Sequence, residues 1–264
     1  MFNKLHRGFS MLFKSSGLFA LLAAPLLALA LTAVANAESV SVAVAANFAD
    51  AAKALGVAFK AKTGDDLTIS SGATGALFTQ ISQGAPFEVF LSADAKTPKK
   101  AVDSGFGVKD TEFTYAVGKI VLYSTDPKLV TGADTLTAAR FDKLAIANPE
   151  TAPYGAAAVA AMKKLGVYDV LTPKLVTGES IAQAFQFVDT KNAELGFIAL
   201  SQVINRKDGS RWEVPAEDYA PLTQDAVLLT PGKDSAAAKD FLAFLKSDDG
   251  IKIIESFGYG VVAK

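Results

Sequence analysis

Four short loops carry the residues of this chain best placed to do chemistry: Ala45-Ala46-Asn47, Gly72-Ala73-Thr74-Gly75, Ala152-Pro153-Tyr154-Gly155 and Gly178-Glu179-Ser180-Ile181. Each joins a strand-like stretch to a helix-like one through small or polar residues. At such a junction the first helical N–H groups have no intrahelical partner and the helix dipole is positive, so an anion fits without any basic residue. In open α/β sheets this is also where ligands collect. None of the loops contains lysine or arginine, and Glu179 is the only charge among them. A dianion would be held by neutral donors, two loops from each half of the molecule. Charge-assisted hydrogen bonds contribute about 1.5 to 3 kcal/mol each, so six or seven give roughly 10 kcal/mol or more before the cost of closure. That corresponds to affinity between micromolar and nanomolar. Each residue also has an ordinary structural role, Asn47 as a helix cap, Thr74 as a turn or cap residue, Tyr154 as a packed aromatic and Ile181 as a core residue. Their joint occurrence is what points to a site.

The chemistry that is missing narrows the field. The chain has no cysteine, and its single histidine, His6, lies in the N-terminal stretch. The remainder therefore lacks the commonest general base, the commonest transition-metal ligand and the usual partner of a nucleophilic serine. Asp50, Asp94, Glu150 and Glu179 lie near loops and are the stock from which an exported carboxylate-dependent hydrolase would be built. No spacing among them singles out an acid/base pair. The expectation is a binding protein and not an enzyme.

Strand-like and helix-like stretches alternate, the pattern of an α/β protein with mixed or parallel sheets. Val40 to Ala45 reads as a strand leading to a helix on which Ala51, Ala52, Leu55 and Phe59 recur, stopped at Gly64. Leu67–Ser71 and Phe87–Leu91 are further strands, with a helix from Ala76 to Gln83 between them. In the middle of the chain, the strands Leu144–Ala147, Lys174–Thr177 and Leu195–Leu200 alternate with helices from Pro153 to Leu165 and from Ile181 to Val188. Two apolar segments, Phe113–Tyr123 and Ala226–Thr230, read as crossings between lobes lying side by side as a hinge. One lobe would then comprise residues 38–117 plus 226–264, and the other residues 118–225. A helix in the tail from Ala237 to Phe257 would pack back on the first lobe.

The N-terminus reads as an address. Lys4, Arg7 and Lys14 precede the apolar run Leu18–Leu31, and Ala35-Asn36-Ala37 supplies a small-x-small cleavage pattern. Residues 1–37 are expected to be a signal peptide removed after Ala37, which predicts a periplasmic location. The absence of a lipobox cysteine favours a soluble state there. The remaining chain carries 23 basic against 27 acidic residues, a mildly acidic surface with no footprint for nucleic acid or anionic lipid.

At these loops the chain resembles the periplasmic molybdate-binding proteins of ABC transporters, over nearly all of the sequence beyond the leader. The longest matching segment is SSGATGALFTQISQGAPFEVFLSAD, Ser70 to Asp94, similar to the family's serine-rich loop, its following helix and its G-A-P-x-x-x-F-x-S-A-D stretch. NPETAPYG (Asn148 to Gly155), KLG followed by LTPKLV (Lys164 to Val176), and GESIAQA before ELGFIAL also fit. The resemblance implies a type II periplasmic-binding fold with two α/β lobes and a two-strand hinge. It implies a monomer that captures molybdate, with tungstate expected as well, and delivers it to an ABC permease and ATPase complex, with no cofactor and no free metal cation. The family's ligand contacts fall on Ala46, Asn47, Thr74, Tyr154 and Ile181, with Tyr154 and Ile181 acting through backbone N–H and Thr74 through N–H and hydroxyl. Ala46 departs from the serine or threonine that relatives commonly place there, and so lacks one hydroxyl donor.

Two other ligands of the same fold bear on this reading. Ferric binders use paired tyrosines, whereas Tyr154 stands alone. Sulfate, like molybdate a full dianion, stays open, because sequence does not measure a cavity.

Overall fold

The computed structural model describes residues 37–261. The expected leader falls, all but its last residue, outside the described residues.

The chain begins with β1 (Ser39–Ala45), a 3-10 turn at Ala46–Phe48 and α1 (Ala49–Thr63). Gly64 then ends the helix in the left-handed conformation, φ 90°, which glycine adopts without the Cβ penalty. There follow β2 (Asp66–Gly72), α2 (Thr74–Ser82), β3 (Val89–Leu91), α3 (Lys96–Asp103) and β4 (Phe113–Gly118). One residue later, β5 (Ile120–Ser124) starts a second lobe: α4 (Asp134–Ala138), β6 (Leu144–Ala147), α5 (Pro153–Lys164), α6 (Tyr168–Leu171), β7 (Leu175–Gly178), α7 (Ile181–Asp189), β8 (Leu195–Ala199), α8 (Leu200–Val203) and β9 (Ser210–Glu213). The chain returns through β10 (Leu222–Leu228) and finishes with α9 (Ala236–Leu245) and α10 (Asp248–Ser256).

Each lobe is built on a five-stranded mixed sheet, ordered β2-β1-β3-β10-β4 in the first and β7-β6-β8-β5-β9 in the second. Strand periodicity of two explains the first lobe's layers. Val40, Val42, Val44, Val89 and Leu91 face α1 and α9, where Phe59 meets Phe241 and Phe244 with ring centroids 5.4 and 5.8 Å apart. The intervening Ala43, Phe90 and Val227 face Leu77 and Ile81 of α2 on the other side. The second lobe's core reaches across to Ala45, Ala46, Ala73 and Ala93 of the first. Small residues thus let the two halves approach.

Three readings from sequence are corrected in detail. The segment Phe113–Tyr123 is two strands in different sheets, broken at Lys119, because each sheet takes its own edge of the run. β10 starts at Leu222, so the boundary drawn at residues 225/226 falls inside a strand. Leu222 to Gln224 already pair with Gly118 to Ala116. The tail helix is two helices, interrupted where the Ser247 side chain caps α10 by accepting from Gly250 N–H at 3.2 Å.

Candidate functional site

The four loops converge. Ala45, Ala46, Asn47, Gly72, Ala73, Thr74 and Ala93 from the first lobe and Ala152, Pro153, Tyr154 and Ile181 from the second line one small cleft. All five residues expected at the site are among them, and all five are buried. The cleft is tight: the space open to the centre of a water-sized sphere is about 10 Å³, far below the roughly 300 Å³ at which pockets for organic ligands begin. No charged side chain lines it.

The donors follow from where each helix starts. In α5, Pro153 occupies the first position and has no N–H. The Gly155 N–H turns back to the Ala152 carbonyl at 2.9 Å. The Tyr154 N–H is left as the donor at that helix end. A Cβ on residue 155 would overlap the Ala147 carbonyl oxygen and lie 2.9 Å from the Asn148 carbonyl carbon. Only glycine therefore lets α5 start this close to β6. In α7, Ser180 caps the helix through its side chain, accepting from Gln183 N–H at 3.4 Å, and the Ile181 N–H at the first position has no intrahelical partner.

In α2 the Thr74 hydroxyl accepts the Ala93 N–H at 3.0 Å, so its own proton remains to be donated. The helix begins at Thr74, two residues earlier than its sequence pattern suggests, which puts the Thr74 N–H among the unpaired donors of the first turn. Its neighbour's N–H, on Gly75, crosses to the Thr151 carbonyl of the second lobe at 2.9 Å. Asn47 sits second in the 3-10 turn, where its N–H also lacks a helical partner. Its side chain, however, is spent elsewhere. The Asn47 amide donates to Gln224 Oε1 at 2.8 Å and Tyr259 Oη at 3.0 Å, with Tyr154 Oη at 3.4 Å. Asn47 thus offers the cleft its backbone alone.

That amide belongs to a buried polar cluster that sequence reasoning did not find. Gln224 donates to Tyr154 Oη at 3.2 Å and accepts from Tyr115 Oη at 3.2 Å. Tyr259 donates to the Asn47 carbonyl at 2.7 Å, and the Ser201 hydroxyl does the same at 2.9 Å. The members lie far apart in sequence and belong to no local motif. The one available signal was Gln224 at an inward-facing position of β10, alternating with Leu222 and Ala226, which are buried on the same face. Burial pushes the Tyr115, Tyr154 and Tyr259 phenols above their ordinary range, so they stay protonated donors and are poor candidates for phenolate ligands of iron.

The four carboxylates considered for hydrolysis do not meet. Asp50 pairs with Lys53 at the surface, Asp94 accepts from the Thr97 N–H and hydroxyl at the start of α3, and Glu150 and Glu179 are exposed. Among the described residues no group of three or more histidine, cysteine, aspartate or glutamate side chains could hold a metal ion.

A family model described as bacterial extracellular solute-binding protein matches residues 40–260. The chain is 52% identical over 233 residues to the molybdate-binding protein ModA of Rhodobacter capsulatus, spanning 88% of this chain and 92% of that one. It is 49% identical to the molybdate-binding protein ModA of Azotobacter vinelandii, spanning 95% and 100%. Among solved structures, an Azotobacter vinelandii periplasmic molybdate-binding protein matches with a TM-score of 0.82 at 36% identity, over 85% of this chain and 100% of that one.

Proposed function

The chain belongs to the bacterial extracellular solute-binding protein family, and we propose that within it this protein captures molybdate, and tungstate with it, for an ABC importer. It is a binding protein of type II periplasmic architecture and not an enzyme. Molybdate is its cargo and no cofactor is implied. We assign the oxyanion contacts to Ala46, Asn47, Thr74, Tyr154 and Ile181, through backbone N–H groups and the Thr74 hydroxyl.

The observation that carries this reading is a small cleft, too tight for an organic ligand, lined by helix-start donors and no charged side chain. Such a site suits a full dianion. Hydrogen phosphate brings a proton that favours a carboxylate acceptor, and the lining has none. Identity of about half to two ModA proteins supports molybdate among the dianions.

Delivery to a permease and ATPase in the inner membrane, action as a monomer, and export with cleavage near Ala37 complete the proposal. The lobe division is proposed at the two crossings, Lys119 and the stretch between Glu213 and Leu222, with the anion between the halves.

A thermal-shift panel tests the ligand, since a solute that binds only the folded state raises the melting point by mass action. Molybdate and tungstate are expected to raise it most, sulfate less and phosphate least. Absence of any shift at about millimolar molybdate, where binding in the expected affinity range is saturated, alongside a clear shift with another small solute, would sink the proposal.

A further inference from the structure

Tyr154 does two things from one position. Its backbone N–H opens α5 at the cleft, while its ring, 2% exposed, passes out of the second lobe and into the first. There the hydroxyl receives the Gln224 amide at 3.2 Å and lies 3.4 Å from the Asn47 amide. The place it occupies is hollowed out at Gly118, the last residue of β4 before the crossing at Lys119. A Cβ on residue 118 would overlap the Tyr154 hydroxyl and stand 2.6 Å from Gln224 Nε2. Gln224 itself sits where the register of β10 against β4 slips, between Gln224 and Asp225. A bulge re-aims the side chain at such a slip, and Gln224 is fully buried.

We infer that the Tyr154 hydroxyl, seated against Gly118 and held by Gln224 and Asn47, is a positioning contact that sets how closely the lobes meet around the anion, and with that the size of oxyanion preferred. The inference rests on the proposed capture of molybdate. The physical basis is that two groups on one rigid residue cannot move independently. With the ring fixed in the first lobe, the N–H at the head of α5 stands at a defined distance from the donors of Asn47 and Thr74. The Gly75 N–H beside Thr74, donating to the Thr151 carbonyl of the second lobe at 2.9 Å, is a second tie across the same cleft. A cleft held at one width rewards one radius, which a set of donors on loosely joined lobes does not.

The test uses the whole chain and measures dissociation constants for molybdate and sulfate by calorimetry, with the ligand-free melting point as a check on folding. Tyr154→Phe keeps the N–H and the ring and removes only the hydroxyl. It is expected to weaken molybdate binding about threefold to tenfold, the range for one neutral hydrogen bond, and to weaken sulfate binding less, so that the preference between the two anions narrows. Gly118→Ala should weaken molybdate more, and its cost should shrink in the Tyr154→Phe background, where the overlapping oxygen is gone. Unchanged binding in Tyr154→Phe, or equal losses for both anions with additive effects of the two substitutions, would overturn the inference. Wild-type protein that takes up neither anion would instead overturn the reading of the site, and this inference with it.

Discussion

The two rims of the cleft do the same job by different means. On the first lobe, the proposed contacts add one side chain to the backbone: the Thr74 hydroxyl is aimed by the Ala93 N–H at 3.0 Å, while the Asn47 side-chain amide ties its turn to Gln224 and Tyr259. On the second lobe, Tyr154 and Ile181 offer only their backbone, and what places it is Pro153 at the head of α5, the close approach at Gly155 and the Ser180 cap. A rim made of backbone tolerates many side chains provided the helix start does not move. A rim that includes a side-chain donor is altered by a single atom. The two rims should therefore fail under different substitutions.

The largest effect is expected from moving the backbone rim. Gly155→Ala places a methyl group into the Ala147 carbonyl, so α5 must shift against β6. Overpacking of this kind costs about 1 to 3 kcal/mol of stability. A displacement of about an ångström at a pre-organised site can cost on the order of a hundredfold. Denaturant unfolding and calorimetry should show both losses together. Retention of wild-type affinity would mean that the head of α5 does not hold the ligand.

Next comes the side-chain rim. Thr74→Val keeps the shape, removes one donor to the anion and leaves the Ala93 N–H unpaired. Loss of one charge-assisted hydrogen bond, about 1.5 to 3 kcal/mol, corresponds to roughly 10- to 150-fold in dissociation constant. Thr74→Ser, which keeps the hydroxyl, should remain within about threefold. If valine and serine behave alike, the hydroxyl is not a contact.

The same contrast explains what the sequence made legible. Helix-start donors are local: a strand end, a small-residue loop and a helical period lie within ten residues, so the four loops could be named before any coordinates. The positions of Ala46, Asn47, Thr74, Tyr154 and Ile181 around one cleft follow from the α/β alternation that brings strand ends together. The polar cluster was not legible, because Asn47, Tyr154, Gln224 and Tyr259 are separated by up to 212 residues and each looks ordinary in its own segment. The break at Lys119 was hidden for a different reason. Residues on both sides of it are apolar, so the run shows no change in pattern where the chain changes sheets. The start of β10 was missed because its first half, Leu222–Asp225, carries threonine, glutamine and aspartate, whose polar side chains break the apolar run without ending the strand.

The smallest effect on binding, and the sharpest test of the comparison, is expected at Ile181. Its side chain is 4% exposed in the second lobe's core, while its N–H opens α7 at the cleft. Ile181→Val removes one buried methylene and should cost about 0.5 to 1.5 kcal/mol of stability. Because the donor is backbone and the Ser180 cap is untouched, the dissociation constant for molybdate should change by less than about threefold, a shift within the size of one weak contact. Thr74→Val should show the opposite pattern, with affinity falling further than the change in packing accounts for. Measuring stability and affinity for both variants separates the rims. If Ile181→Val loses affinity as steeply as Thr74→Val, the second rim also acts through its side chains, and the backbone account of that lobe is wrong.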